Sequence, residues 1–349
     1  MEEIAVIGSG LIGRAWAMVF ARAGHPVRLY DNAPGAADKA LGLIREGLAE
    51  TRQFGLINED PAVVAARVTA AASLEDAVAD ADYVQENTSE REDVKRDVFS
   101  KLDAAAKPTC ILASSTSTIQ TSRFAGHVPG RHRCLVAHPV NPPHVVPIVE
   151  LSPAPFTDPA VVERAREIHD RAGQVPILVK KEIEGFILNR LQAALLLEAW
   201  KLVQEDYVTV EDLDKTIRDG LGLRWAFMGP FETIDLNAPK GVADYAGDLY
   251  AQLVAAQAGT LVPGAGSAAS QAFSAQPVSS QLAQVRALVG DAAYSAAVQG
   301  FMRQKLHQAG LGAGQALQAF AQLGEADQAR VAGGALATAW STQVKQADQ

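Results

Sequence analysis

The chain has 349 residues, of which 48% are hydrophobic and 20% charged, and its formal net charge is −9. That length accommodates two domains with separate cores, and the acidic balance excludes the basic footprint of a nucleic-acid or anionic-membrane binder. No apolar run is long enough to span a membrane, and the first strand follows Met1 too closely to leave room for a signal peptide, so a cytoplasmic protein is expected.

Ile4-Ala5-Val6-Ile7 reads as a buried strand running into Gly8-Ser9-Gly10-Leu11-Ile12-Gly13, the G-x-G-x-x-G spacing. A helical pattern follows, with Leu11, Ala15, Val19 and Ala23 on one face, and then a second strand, Val27 to Tyr30, ending in Asp31. The three glycines do different things. Gly8 makes the tight turn, Gly10 lets the backbone approach a pyrophosphate, and Gly13 lets helix and strand pack closely. The helix start at Leu11, Ile12 and Gly13 offers free N–H groups and a positive dipole end to the phosphates. Asp31 is placed to accept from both ribose hydroxyls and to repel a 2′-phosphate, so the expected cofactor is NAD rather than NADP.

A helix is expected from about Gly35 to Phe54, and Ser73-Leu74-Glu75-Asp76 has the spacing of a capped helix start. The strand Asp82 to Glu86 ends in Glu86-Asn87, either a solvated strand end or a ligand position at the carboxyl edge of an α/β sheet. After a helix from about Glu92 to Ala105, the strand Thr109 to Ala113 ends in the hydroxyl cluster Ser114 to Thr118, either turn chemistry or a site for a polar substrate. Cys110 and Cys134 sit in apolar stretches without metal-ligand spacing, so they read as buried small hydrophobes and no metal site is expected.

The strand Cys134 to Ala137 delivers His138-Pro139-Val140-Asn141-Pro142-Pro143, and Ile148-Val149-Glu150-Leu151 follows as another strand. Of the seven histidines, His138 alone stands at a strand exit beside a proline-stiffened loop. An imidazole has the right pKa to take a hydroxyl proton as hydride leaves the carbon, and Glu150 could be the carboxylate that orients it. A helix from Asp158 to Ala172 and a short strand, Val175 to Val179, placed at an edge by Pro176, bring the chain to a domain boundary near Glu182. The following stretch, Phe186 to Val203, has almost no polar face and reads as a helix buried on most sides. Asn189 interrupts it, either tying the domains together or reaching a ligand. Thr209 opens another helix, Gly220 to Trp225 reads as its break, and Gly229-Pro230 starts the next. From Leu249 to Val285 no residue is charged, and the Ala- and Gln-rich composition suits weak helices or disorder.

Several ordered motifs together resemble the 3-hydroxyacyl-CoA dehydrogenase superfamily, and within it the lambda-crystallin or L-gulonate 3-dehydrogenase branch, from about Ile4 to Tyr250. They are the glycine motif, Ser115-Thr116-Ser117, His138-Pro139-Val140-Asn141-Pro142, Ile148-Val149-Glu150, Gly185-Phe186-Ile187-Leu188-Asn189-Arg190-Leu191 and Gly229-Pro230-Phe231-Glu232. The resemblance implies an α/β fold with an N-terminal Rossmann dinucleotide-binding domain, an all-α C-terminal domain and a homodimer formed through the latter. The expected divisions are 1–182 for NAD, 183–255 for substrate and dimerisation, and 256–349 as a tail that does not match the family.

Position by position, the resemblance implies that His138 is the base, that Glu150 orients it, and that Ser117 and Asn189 bind the substrate oxygen. It also implies that Glu86 contacts the cofactor, and that Arg91, which falls where the family usually has a lysine able to reach the cofactor or substrate, binds the cofactor. Arg224, in Gly222-Leu223-Arg224-Trp225, resembles the branches that bind a free carboxylate; its plain alternative is a surface cation. The expected activity is NAD-dependent oxidation of a small 3-hydroxy acid of the L-gulonate type. A 3-hydroxyacyl-CoA dehydrogenase and a non-catalytic crystallin-like protein are the rivals.

Overall fold

The structure, a computed structural model, describes residues 1–237. The chain forms two compact units, Met1–Glu198 and one beginning at Ala199. The first holds the strands β1 (Ile4–Ile7), β2 (Val27–Tyr30), β3 (Val68–Ala70), β4 (Tyr83–Glu86), β5 (Ile111–Ser114), β6 (Cys134–Pro139), β7 (Ile148–Pro153) and β8 (Val175–Leu178). Interleaved with them are the helices α1 (Leu11–Arg22), α2 (Ala36–Gln53), α3 (Pro61–Ala65), α4 (Leu74–Val78), α5 (Glu92–Ala105), α6 (Thr121–Ala125) and α7 (Pro159–Arg171). The eight strands form one sheet in the order β3-β2-β1-β4-β5-β6-β7-β8, parallel except where β7 runs against β6.

Because the chain order reverses between β1 and β4, a crevice is left at their carboxyl ends, where open α/β sheets bind ligands. Successive side chains of β1 point to opposite faces: Ile4 and Val6 join Trp16, Phe20, Ile44 and Ile168 in one core layer, while Ala5 and Ile7 join Val78, Phe99, Leu102 and Phe124 in the other. Burial on both faces explains the uninterrupted apolar runs of these strands. The caps read from sequence are present: the Ser73 hydroxyl accepts from Asp76 N–H, and Asp158 accepts from Ala160 N–H at the start of α7.

α8 (Leu188–Gln204) crosses from the first unit into the second, which continues through α9 (Val210–Lys215), a π-helical turn over Thr216–Leu221, α10 (Gly222–Trp225) and α11 (Pro230–Asn237). Two expectations are corrected here. No residue of α8 is buried, although its composition reads as a helix covered on most sides. Gly220 to Trp225 does not break the helix; the chain stays helical by widening to a π turn. Gly222 permits this, since a Cβ there would lie 2.8 Å from the Ile217 carbonyl oxygen. No described helix is long and apolar enough to cross a membrane. The expected tail, 256–349, lies outside the described residues.

Candidate active site at the carboxyl edge of the sheet

The crevice between β1 and β4 is shaped by the three glycines. Gly8 has φ +91°, and a Cβ on it would meet Asn87 O at 2.7 Å. On Gly13 a Cβ would lie 1.8 Å from Gly8 O, so α1 can approach β1 this closely only without a side chain. Around Gly10, by contrast, nothing lies within 4 Å. Gly10 is the N-cap of α1, no side chain caps it, and no acid lies in the first turn, so the N–H groups of Leu11, Ile12 and Gly13 face an open approach. Leu11 is correspondingly 59% exposed.

At the end of β2, Asp31 accepts from Ser9 N–H at 2.7 Å, Ser9 Oγ at 2.8 Å and Ala33 N–H at 2.9 Å. Burial pushes this carboxyl up, but the three hydrogen bonds outweigh it and hold the group below its ordinary pKa. An open helix N-terminus, a glycine with free space above it and an ionised, rigidly held aspartate with lone pairs to spare fit a dinucleotide.

Along the same edge, β6 and β7 pair His138 directly with Glu150. His138 Nδ1 lies 2.7 Å from Glu150 Oε2, and both residues are buried. The other carboxylate oxygen, Oε1, accepts from the backbone N–H groups of Ile187 and Leu188, each at 2.9 Å. Burial raises the Glu150 pKa, whereas the His138 hydrogen bond, the Leu188 and Ile187 amides and the imidazole charge lower it; the lowering prevails. Gly185 at φ +74° and Phe186 at φ +49° turn the chain so that these amides face Glu150. Phe186, a bulky residue in the left-handed region, is held there by complete burial with its ring centroid 5.3 Å from that of His138.

Asn189, the residue after Leu188, donates from Nδ2 to the Ser117 carbonyl at 3.0 Å. Ile187, Leu188 and Asn189 therefore link Glu150 to Ser117 through consecutive residues, which brings four of the expected site residues into one connected group. The hydroxyl of Ser117 makes no hydrogen bond among the described residues.

Glu86 and Arg91 are placed differently from the expectation. The Glu86 carboxylate is wholly buried and taken up by Lys95 Nζ at 3.0 and 3.1 Å, Ser114 Oγ at 2.5 Å, and the N–H and hydroxyl of Thr88, both at 2.5 Å. Arg91 is exposed and paired with Asp93. Glu86 thus reaches only Ser114 of the hydroxyl cluster; the acid that holds the rest of the turn is Glu90, which accepts from Thr116 Oγ1 and from the Ser117 and Thr118 N–H groups. Burial works against the ionised form of Glu90, but the Thr116 hydroxyl, the Lys95 charge and those two amides hold its pKa down. Sequence reasoning missed Glu90 and Lys95. A signal existed: Lys95, Phe99 and Leu102 form the buried stripe of α5, and a lysine on such a stripe requires a buried acid.

Arg224 belongs to the second unit, where its side chain is exposed and makes no ion pair among the described residues.

The model of the 3-hydroxyacyl-CoA dehydrogenase NAD binding domain matches residues 3–183, and that of the 3-hydroxyacyl-CoA dehydrogenase C-terminal domain matches residues 185–262. Lambda-crystallin of Oryctolagus cuniculus is 41% identical over 245 residues, which cover 70% of this chain and 76% of that protein. An L-carnitine dehydrogenase of Streptomyces griseus is 39% identical over 244 residues, 69% of this chain and 71% of its own length. The crystal structure of 5-formyl-3-hydroxy-2-methylpyridine 4-carboxylic acid 5-dehydrogenase, described as an NAD+ dependent dismutase, superposes with a TM-score of 0.65 at 28% identity, covering 83% of this chain and 96% of that one. The first of these models spans the whole sheet, whose reversal point carries the glycine turn and the aspartate, and the second follows it in order along the chain. The chain therefore belongs to the 3-hydroxyacyl-CoA dehydrogenase family, and its cofactor is NAD.

Proposed function

We propose that the protein oxidises the 3-hydroxyl of a small 3-hydroxy acid of the L-gulonate type, with His138 as general base. The observation that carries this reading is the His138–Glu150 contact at 2.7 Å with Glu150 Oε1 saturated by two amides. A carboxylate fixed in this way can only accept from His138, so Nδ1 carries the proton and Nε2 is left bare to receive one. The substrate hydroxyl proton passes to Nε2, and Glu150 stabilises the imidazolium that results. NAD, when bound, supplies the hydride acceptor. Ser117 offers an uncommitted hydroxyl and Asn189 an amide to the substrate oxygen. The phosphates fall to Leu11, Ile12 and Gly13, and the adenine-side ribose to Asp31. The exposed guanidinium of Arg224 suits a carboxylate, and one structural relative is named for a carboxylic acid substrate. A homodimer and a place in the cytoplasm belong to the same reading.

The test is NADH formation from L-gulonate, 3-hydroxybutyrate, carnitine and 3-hydroxybutyryl-CoA in parallel. A free acid should be preferred, and Arg224→Met should raise its KM by roughly 10- to 100-fold, the loss of a charged bidentate contact. His138→Ala should lower kcat by roughly 10²- to 10⁴-fold with NAD affinity retained. Preference for the CoA ester would move the protein to the acyl-CoA activity, and absence of both NAD binding and turnover would make it a crystallin-like structural protein.

A further inference from the structure

Beside the site lies a polar cluster, buried at Tyr83, Gln85 and His169 and half-buried at Asn87 and Ser115, that the proposed chemistry does not use. Gln85, on β4 and wholly inaccessible, donates from Nε2 to Ser115 Oγ at 2.6 Å and to the Ala137 carbonyl at 3.1 Å. Its Oε1 accepts from Tyr83 O–H at 2.7 Å, and His169 Nε2 lies 2.7 Å from the same phenol oxygen. Ser115 Oγ accepts from Trp16 Nε1 at 3.0 Å and from Gln85, so its own proton goes to Asn87 Oδ1 at 2.7 Å. The Asn87 amide then donates to the Gln85 carbonyl at 2.8 Å.

Every proton in this chain has one place. Both Gln85 amide protons are used, so Oε1 must accept and Tyr83 must donate to it. With its only proton spent, Tyr83 must accept from His169, which is therefore the neutral Nε2–H form. The buried Nδ1 of His169 has no acceptor to donate to among the described residues, which agrees with its being the unprotonated nitrogen, and burial pushes the pKa of the residue down to about 3. The chain runs in one direction from α7 through β4 and the residue after β5 to the loop after β4, with a branch to β6.

That branch matters most. The β5–β6 register ends at Ser114 with Val136, and Ala137 is the next residue of β6, immediately before His138. The Gln85 amide reaches past the end of β5 to grip the Ala137 carbonyl, while its second proton grips Ser115 at the root of the hydroxyl turn.

We infer that Gln85 is a positioning residue for the reaction: by holding Ala137 and Ser115 together it fixes the strand end that carries His138 relative to the turn that carries Ser117. This inference rests on His138 as base. A buried core amide of merely structural value would affect stability alone. A positioning amide affects turnover, because a displacement of about 1 Å at a reacting group costs on the order of 100-fold.

The experiment compares kcat, KM for NAD and thermal unfolding in the full chain and in Gln85→Met, Gln85→Glu and Tyr83→Phe, using whichever of the four alcohols above is oxidised fastest. Gln85→Met removes both grips. Gln85→Glu keeps the Tyr83 contact but sets a carboxyl oxygen against the Ala137 carbonyl. Both should lower kcat by roughly 10- to 100-fold while KM for NAD stays within about 3-fold. Tyr83→Phe removes a hydrogen bond of similar burial but leaves both grips, so its kcat should stay within about 2-fold even if its melting temperature falls. A soluble Gln85 variant with parental kcat overturns the inference, as does an equal fall in kcat for Tyr83→Phe. Failure of both Gln85 variants to fold while Tyr83→Phe folds also overturns it, since the amide would then serve the fold. His138→Ala, run alongside, separates the two claims: a near-parental rate there removes the base, whereas an inactive His138→Ala with normal Gln85 variants removes only the positioning role.

Discussion

Two backbone amides decide what Glu150 can do. Ile187 and Leu188 can only donate, so whatever occupies position 150 must offer them an oxygen. In Glu150→Gln the amide oxygen stays with them and the NH₂ turns to His138, which forces Nδ1 to accept and puts the imidazole proton on Nε2, where the substrate proton should go. The variant should lose roughly 10²- to 10⁴-fold in kcat while binding NAD normally, and fluorescence titration beside initial rates separates the two effects. The same group ties stability to pH. Because its folded pKa lies below the unfolded value of about 4.3, its stabilisation is complete above that pH and disappears as the pH falls through the lower folded value. Thermal unfolding from pH 7 to pH 3 should show the parent more stable than Glu150→Gln near neutrality, with the gap closing in acid. A gap of constant size would mean that the carboxylate charge contributes nothing to folding.

At the scale of elements, the glycine turn separates a requirement of the fold from a requirement of the ligand. Gly13→Ala drives a Cβ into Gly8 O and should cost about 1–3 kcal/mol in unfolding experiments. Gly10→Ala meets nothing within 4 Å, so its melting temperature should match the parent, yet the methyl occupies space a pyrophosphate needs and KM for NAD should rise by on the order of 10-fold. Equal destabilisation by both changes would show that Gly10 serves packing after all. This turn was legible in sequence because strand, glycines, helix and acid are all local. His138 and Glu150 were legible as candidates on successive strands, but it is the β6–β7 register that sets them opposite each other on one face. Glu86 and Glu90 were not distinguishable: they lie four positions apart, and only the course of the loop after β4 decides which is buried against Lys95 and which holds Thr116 to Thr118. The short strand β3 was illegible for a related reason. Val68–Ala70 is three residues long and borrows its order from pairing with β2. The grip of Gln85 on Ala137 joins residues far apart in sequence, and no spacing rule anticipates it.

For the whole molecule, the helix that bridges the two units carries the remaining question of assembly. α8 has the composition of a core helix, yet Leu196, Leu197 and Trp200, at helical spacing, are 39%, 70% and 67% exposed. Three large apolar side chains exposed at helical spacing are natural anchors for a partner, and stable dimers bury about 800 Å² per partner around such anchors. The proposed homodimer would use this face. A Leu197→Lys, Trp200→Glu double variant should sediment at the mass of one chain where the parent sediments at twice that mass, with NAD titration showing the first unit still folded. Aromatic anchors dominate interface energetics, so Trp200→Glu alone should already weaken association by roughly 100-fold. A parent that sediments as a single chain, or a double variant that stays dimeric, takes α8 out of the interface and requires another cover for its apolar residues.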